Sequence, residues 1–285
     1  MQIQINTFIQ KQLKHLTNKN FSKKYINQYI VPIIKNINDS KNDKFIIAGS
    51  QGSGKSTLTA VLKLVLEKFY KKKVMLLSID DYYLSKNKRQ ELSKKIHPLL
   101  ITRGVPGTHN IAALRKDIIN FQKKKFPIVA PLFNKLKDDI SSKKKIIKKA
   151  EILLLEGWYC GSTPISKEYL FNNINRLEST LDKNKAWRQY YNFQLQKDYK
   201  KVFSLFDKQI YIQAPSFTYI SKWRYAQEES NALKSKGEKF MKKKDLHKFI
   251  QHYEKLTKWM IKTMPAKADM LIKIDKNQKI KKVVI

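Results

Sequence analysis

Residues 44–57, Lys-Phe-Ile-Ile-Ala-Gly-Ser-Gln-Gly-Ser-Gly-Lys-Ser-Thr, decide which fold this chain can adopt. They contain a complete G-x-x-x-x-G-K-[ST] pattern, which runs from Gly49 to Ser56. The apolar run Phe45–Ile47 precedes the pattern, and apolar residues at helical spacing follow it from Leu58 to Phe69. A strand, a glycine-rich loop and a helix in this order are the context that a phosphate-binding loop requires.

The residue types of this loop explain how it would hold a triphosphate. Gly49, Gly52 and Gly54 lack a Cβ atom, so the backbone N–H groups can wrap closely around phosphate oxygens. The following helix points its positive end at the phosphates, Lys55 adds a full charge, and Ser56 offers an oxygen to Mg²⁺. We therefore expect the nucleotide to contact the whole loop, Gly49, Ser50, Gln51, Gly52, Ser53, Gly54, Lys55, Ser56 and Thr57.

The composition is that of a globular chain with a sizeable core, because 42% of its 285 residues are apolar. We predict a helical extension over residues 1–43 and an α/β domain over residues 44–285. Apolar residues at helical spacing predict two helices before the first strand, with Pro32 kinking or interrupting the second.

The sequence also bears on the compartment of the protein. No stretch approaches the length of a membrane span, and Met1–Gln10 lack the pattern of a secretory signal. The single cysteine, Cys160, excludes an internal disulfide framework. We expect a cytoplasmic protein without a membrane partner.

The formal net charge of +36 invites a nucleic-acid interpretation. The excess is almost entirely lysine, however, and the lysines are spread over every segment. This distribution fits a biased genome composition better than a binding face. We predict no specific nucleic-acid partner and only salt-sensitive, nonspecific adhesion.

Acidic residues follow two of the predicted strands. Val74–Ile79 is predicted to be a strand, and Asp80 and Asp81 follow it. The apolar residues within Glu151–Gly157 predict a second, buried strand, and Glu156 lies near its end. In an open α/β sheet the ligand lies outside the carboxyl ends of the strands. Asp80 is therefore a candidate general base or Mg²⁺ partner, although a helix cap or a solvated turn is the alternative. Glu156 occupies the place of a Walker B acid, which holds Mg²⁺ directly or through water.

The rest of the chain predicts alternating strands and helices. Leu84–Asn110 reads as a long irregular loop, in which Arg103 and His109 could meet an anionic substrate. Further predicted segments are a helix Ile111–Gln122, a strand Phe126–Ala130, a loop Pro131–Asp139, a solvated turn region 141–149, a helix Ala186–Ser204, a strand Lys208–Gln213, a helix Ser216–Ser235, a lysine-rich turn Lys234–Lys244 around Gly237, a helix Leu246–Met264 and a last strand Ala268–Ile274. The pattern predicts a three-layer α/β fold with a mostly parallel sheet.

Several motifs occur in one order along the chain. They are Gly49–Ser56, Ser78–Tyr83, Arg103–His109, Phe133–Asp139, Glu156–Tyr159, Trp223-Arg224, Phe249–Thr257 and Met264–Asp269. Together they resemble the D-glycerate 3-kinase family, which belongs with phosphoribulokinase, uridine kinase and pantothenate kinase among the P-loop kinases. The family usually carries Asp where this chain has Asn110 and Asn134. These two exchanges indicate either a shifted acceptor or tolerated changes.

The resemblance implies phosphoryl transfer from ATP, with Mg²⁺, to a small hydroxy acid such as D-glycerate. It implies that Asp80 is the base, that Lys55 and Arg224 act on the phosphates, and that Ser56, Asp80 and Glu156 surround the metal. The residues expected to face the acceptor are Asp81, Tyr83, Arg103, His109 and Lys135. The oligomeric state is not predicted.

Three other functions stay open from the sequence. A uridine or other nucleoside kinase would need stacking aromatics, and the candidates are Tyr82, Tyr83, Trp158 and Tyr159. A nucleic-acid-stimulated P-loop ATPase is supported by the net charge alone. A noncatalytic nucleotide-sensing module is disfavoured, because the motifs that face the acceptor are retained.

Overall fold

The computed structural model describes the backbone of residues 1–234 and 243–285 and the side chains of residues 1–226 and 246–285. The centre of the predicted lysine-rich turn, around Gly237, lies outside the described residues. The strands are β1 (Lys44–Gly49), β2 (Val74–Ser78), β3 (Ile128–Asn134), β4 (Asp139–Ile147), β5 (Ile152–Gly157), β6 (Lys208–Gln213), β7 (Met270–Ile274) and β8 (Ile280–Val284). The α-helices are α1 (Gln2–Thr17), α2 (Lys23–Tyr25), α3 (Val31–Asp39), α4 (Lys55–Phe69), α5 (Lys86–Lys95), α6 (Ile111–Gln122), α7 (Lys167–Phe171), α8 (Arg176–Leu181), α9 (Ala186–Gln194), α10 (Lys200–Phe203), α11 (Phe217–Lys234) and α12 (Lys243–Thr263).

Six strands form one sheet in the order β2-β5-β1-β6-β7-β8, and β3 and β4 form a separate hairpin. The first five strands of the large sheet pair in parallel, while β8 pairs with β7 in the antiparallel sense. The predicted, mostly parallel sheet is therefore confirmed. Because β1 lies in the middle of the sheet, the loop after it opens at the centre of the carboxyl edge.

Alternate residues of the central strand face two different cores. Phe45 and Ile47 pack into the core that contains the apolar faces of α1, α3 and α4. Ile46 and Ala48 pack into the other, with apolar residues of α6, α9 and α12. Helices thus cover both faces of the sheet, and the predicted three-layer α/β fold is confirmed. None of the helices within the described ranges is both long and apolar enough to cross a lipid bilayer.

The N-terminal residues form the predicted helices and pack directly against the helix that follows the loop. Ile5 and Ile9 of α1 are buried, and the ring of Phe8 meets that of Phe69 edge-on at 5.4 Å. The second helical segment continues through Pro32 because a π-helical turn, Ile26–Ile30, precedes it. This wider turn accommodates the proline where an uninterrupted α-helix would clash with it.

The prediction that all of Leu84–Asn110 is irregular is wrong, since α5 occupies ten residues of that stretch. The sequence of α5 is polar on every side, so it lacks the apolar stripe by which helices are identified. Ser85 caps the helix by accepting the N–H of Lys88. Arg89, which is only 1% exposed, anchors the helix by donating to the carbonyl oxygens of Ile101 and Asp138 at 2.7 and 2.6 Å.

The predictions of a loop over 131–139 and a turn region over 141–149 are also wrong, because β3 continues to Asn134 and β4 spans Asp139–Ile147. Most of β4 is exposed, so its lysines and serines hide the alternation that marks a strand. Strand β8 was not predicted either, and it follows the strand expected to be the last.

Lysines cover the outer edge of the large sheet at β2. Lys63 donates to the carbonyl oxygen of Val74 at 2.8 Å, and Lys145 donates to that of Leu76 at 2.5 Å. The opposite edge strand, β8, carries Lys281 and Lys282, both exposed.

Candidate active site

The loop between β1 and α4 has the conformation that phosphate binding needs. Gly52 and Gly54 adopt φ values of 74° and 85°, which side chains other than glycine rarely tolerate. At Gly49 a Cβ atom would lie 2.7 Å from Ser53 Oγ, so glycine is required there as well. The 15-residue helix α4 begins at Lys55 and directs its free N–H groups back into the loop.

Two hydroxyl groups of this loop are free to donate hydrogen bonds to an anion. The hydroxyls of Ser50 and Ser53 are buried and have no hydrogen-bond partner among the described residues. A buried hydroxyl without a partner is costly, and phosphate oxygens would accept from both. The loop therefore fits the triphosphate of a nucleotide.

The metal candidates meet at the carboxyl edge of the sheet. Glu156, 8% exposed, is the last residue but one of β5 and is in register with Ile47 of β1 and Ser78 of β2. Its Oε2 accepts from Ser56 Oγ at 3.3 Å. Among the described residues no group of three or more His, Cys, Asp and Glu side chains could hold a metal ion. One or two carboxylates with a hydroxyl suit Mg²⁺ that arrives on a nucleotide, since Mg²⁺ keeps waters and phosphate oxygens as ligands.

Asp80 lies at the end of β2, in a 3₁₀ turn that spans Ile79–Tyr82. Its Oδ2 accepts from Lys135 Nζ and its Oδ1 from the Tyr83 hydroxyl, each at 2.9 Å. Burial alone would raise the pKa of this carboxyl, but Lys135, helped by Lys55 and Tyr83, lowers it to about 2. Asp80 is therefore ionised, and each oxygen keeps a lone pair for a further hydroxyl.

Asp81 bonds to the backbone of the β3–β4 hairpin and not to Lys135 or Tyr83. Its Oδ1 accepts the backbone N–H of Phe133 at 3.2 Å. Burial and the neighbouring charge of Asp80 raise the pKa of Asp81, although the Phe133 N–H opposes them. The structure thus separates the two adjacent acids, because only Asp80 joins the cluster with Lys135 and Tyr83.

His109 is buried against Tyr83, with the two ring centroids 4.4 Å apart. Its Nδ1 lies 2.8 Å from the hydroxyl oxygen of Tyr199 and 3.2 Å from that of Tyr159. Burial lowers the pKa of His109 to about 3, against the charge of Asp80. The imidazole is therefore neutral. Its Nε2 is buried and has no hydrogen-bond partner among the described residues, so it is the ring atom that could bond to an anionic substrate, without adding a positive charge.

Arg103 is oriented by contacts that the sequence did not reveal. Asp138 forms ion pairs with Arg103 and, at 2.9 Å, with the buried Arg89. The Arg103 guanidinium also lies 5.5 Å from the centroid of Phe133. Its side chain keeps 25% exposure, so it is fixed beside the hairpin turn that carries Lys135 while staying accessible. The sequence places Asp138 in the Phe133–Asp139 motif but does not predict its role, because Arg89 and Arg103 are far from it along the chain.

Helices α11 and α12 complete the site on one side. The guanidinium of Arg224 lies 5.7 Å from the ring centroid of Phe249. Tyr253, one turn further along α12, donates its hydroxyl to the carbonyl oxygen of Arg103 at 2.9 Å. Burial raises the pKa of that hydroxyl, while Arg103, Asp80 and Arg224 all lie close enough to act on it. The structure therefore brings Arg224 towards the same region as Asp80.

The two asparagines that depart from the family pattern serve the backbone. Asn110 Oδ1 caps α6 by accepting the N–H of Ala113 at 3.1 Å. Asn134 Oδ1 accepts the N–H groups of Leu136 and Lys137 in the hairpin turn. Aspartate and asparagine cap equally well, so the exchanges preserve the local structure.

The chain has well-matched relatives although no protein-family model matches it. It is 31% identical over 218 residues to the uncharacterized kinase mug58 of Schizosaccharomyces pombe, over 73% of this chain and 76% of that one. It is 27% identical over 221 residues to the chloroplastic D-glycerate 3-kinase of Arabidopsis thaliana, over 71% of this chain and 44% of that one. The solved D-glycerate 3-kinase of Cryptococcus neoformans superposes with a TM-score of 0.70 at 20% identity, over 100% of this chain and 98% of that one, which supports the fold. With the phosphate-binding loop at the centre of its sheet and these relatives, the chain belongs to the D-glycerate 3-kinase family of ATP-dependent P-loop kinases.

Proposed function

We propose that this kinase transfers the γ-phosphoryl group of ATP to a hydroxyl of D-glycerate, which yields 3-phosphoglycerate and ADP. The observation that carries the proposal is the ionised carboxylate of Asp80, paired with Lys135 in front of the phosphate-binding loop. The names of the Arabidopsis and Cryptococcus relatives support the choice of acceptor.

Each residue of the site has a separate role in phosphoryl transfer. This reaction needs positioning and charge compensation more than covalent chemistry. Asp80 accepts the hydrogen bond of the acceptor hydroxyl and takes its proton as the new O–P bond forms and the bond to ADP breaks. Lys55 and the N–H groups of the loop neutralise the β- and γ-phosphate oxygens. Ser56 and Glu156 would hold Mg²⁺, which would supply further positive charge against the phosphate oxygens.

Cationic side chains around Asp80 support an acidic acceptor. Lys135 pairs with Asp80, and Arg103 lies close enough to Lys135 to act on its pKa. The guanidinium of Arg103 is a planar fork, which matches the geometry of a carboxylate. We assign both cationic side chains to the carboxylate of the acceptor, with His109 as a neutral hydrogen-bond partner and Tyr83 as support for Asp80. Arg224 approaches the phosphates from α11.

An acceptor panel tests the proposal. We expect ADP release with D-glycerate to exceed that with uridine, pantothenate or ribulose 5-phosphate by roughly 10²-fold or more in kcat/KM. Uridine brings no anionic group to Arg103 and Lys135, and pantothenate and ribulose 5-phosphate carry their anionic group much further from the hydroxyl that would be phosphorylated. Each rate is corrected by the rate without acceptor. Preference for uridine would indicate the nucleoside-kinase alternative, and stimulation by duplex DNA without acceptor would indicate the ATPase alternative.

The Lys135–Asp80 pair predicts a specific pH effect. Since Lys135 lowers the pKa of Asp80 from 3.8 to about 2 while burial raises it, Lys135→Ala should raise this pKa. If protonation of Asp80 sets the acid limb of the kcat/KM profile, this limb should move to higher pH in Lys135→Ala. In the wild type the low pKa of Asp80 also stabilises the folded state above pH 3.8, and this stabilisation is lost as the pH falls towards 2. Lys137→Ala, an exposed lysine of the same turn, is the control, and an identical profile in both variants would contradict the pairing.

A further inference from the structure

A cavity of about 830 Å³ opens beside the phosphate-binding loop on the sheet face that carries the N-terminal helices. Its walls come from the loop residues Gly52–Leu58, from the turn after β7, from Trp223 of α11 and from the end of α1 with the segment after it. Pockets of roughly 300–1,000 Å³ enclose most of a small organic ligand. The cavity thus offers room beyond what the phosphate chain would fill.

Hydrogen bonds connect the N-terminal turn to the phosphate-binding loop through one glutamine. Lys19 Nζ donates to Gln278 Oε1 at 3.3 Å, and Gln278 Nε2 donates to the carbonyl oxygen of Gly52 at 2.6 Å. The Tyr25 hydroxyl accepts the backbone N–H of Ile280 at 2.7 Å. Hydrogen bonds therefore link residues 17–25 to the turn after β7, and link that turn to the phosphate-binding loop.

The chemistry of the cavity wall suits a flat heteroaromatic group. The rings of Phe21 and Tyr25 lie 5.4 Å apart at an angle of 39°, and both line the cavity. Trp223 also lines the cavity and packs close to Gly52, where an added Cβ atom would lie 3.0 Å from the Cβ atom of Trp223. The side-chain amides of Asn277 and Gln278 supply donors and acceptors at the same place. Aromatic faces with a few polar groups are how proteins hold nucleobases.

We propose that the segment 17–25 closes the binding pocket for the base and sugar of the nucleotide, so that the N-terminal helices are part of the nucleotide site. Phe21 contacts the base, and Gln278 is a positioning residue that holds the loop at Gly52. This inference rests on the proposed ATP-dependent function, but it concerns nucleotide binding and is independent of the acceptor.

Calorimetric titration of the full chain with ATP and with inorganic tripolyphosphate tests the pocket. Tripolyphosphate occupies the loop and lacks the base and sugar. Phe21→Ala should weaken ATP binding by about 10-fold, which is within the range for loss of one stacked base, and leave tripolyphosphate binding within about twofold. Phe8→Ala is the matched control, because Phe8 is a half-buried phenylalanine of the same helices that does not line the cavity.

The possible outcomes separate this inference from the proposed function. Phe21→Ala could weaken ATP and tripolyphosphate binding to the same extent, or Phe8→Ala could weaken ATP binding as much as Phe21→Ala does. Either result would show that Phe21 does not contact the base. Equal affinity of the wild type for ATP and tripolyphosphate would overturn the inference directly. Tight and Phe21-dependent ATP binding without phosphorylation of D-glycerate would instead support the pocket and reject the proposed acceptor.

Discussion

Asp80→Asn is expected to lower the turnover number by roughly 10²- to 10⁴-fold, while the Michaelis constant for ATP changes little. Asparagine has nearly the same shape and keeps one oxygen that can accept from Lys135 or Tyr83. It cannot take a proton, so the acceptor hydroxyl would lose its base while the site kept its form. Steady-state kinetics with D-glycerate and ATP measure the effect.

The adjacent acid provides a matched control. Asp81 accepts the backbone N–H of Phe133 through one oxygen, and an asparagine oxygen can take the same hydrogen bond. Asp81→Asn should therefore keep most of the activity. If the two variants exchanged their behaviour, the base would be Asp81, and if neither lost activity, a base at the end of β2 would not be part of the mechanism.

Lys55→Ala should reduce turnover by about 10³-fold or more, since removal of one preorganised charge at a reacting oxyanion has an effect of this size. ATP binding should weaken as well, because in the proposed mechanism Lys55 balances charge on the β- and γ-phosphates in both the ground state and the transition state. Alanine is a good helix former, so α4 should begin at the same place. Turnover, ATP titration and thermal unfolding together separate a loss of chemistry from a loss of fold.

A second lysine of the same helix serves as the control for this change. Lys68 is exposed in the last turn of α4, far along the helix from the loop. Lys68→Ala removes the same charge from the chain and should leave turnover and ATP affinity unchanged. Normal activity in Lys55→Ala would remove the phosphate-binding role of the loop.

The sequence predicted the parts of the site that are close together along the chain or that end neighbouring strands. The loop at Gly49–Ser56 has its own spacing rule, and the position of Glu156 follows from the run of apolar residues before it. Both could be located because the carboxyl ends of parallel strands share one edge.

The remaining geometry depends on contacts between segments far apart in the sequence. Asp138 links Arg89 to Arg103, and α5 is held by the burial of Arg89 and not by an apolar stripe. The neutral state of His109 follows from burial among Tyr83, Tyr159 and Tyr199, which only the folded chain brings together. Periodicity carries no information on any of these contacts.

The lysines at the two outer strands of the large sheet also bear on self-association. An open strand exposes carbonyl and amide groups that a second chain can pair with, and such pairing leads to aggregation. At β2 the ammonium groups of Lys63 and Lys145 already donate hydrogen bonds to the carbonyl oxygens of Val74 and Leu76. At β8 the exposed Lys281 and Lys282 place like charges where two copies would approach. Part of the large lysine content should therefore disfavour extension of the sheet into a neighbouring molecule.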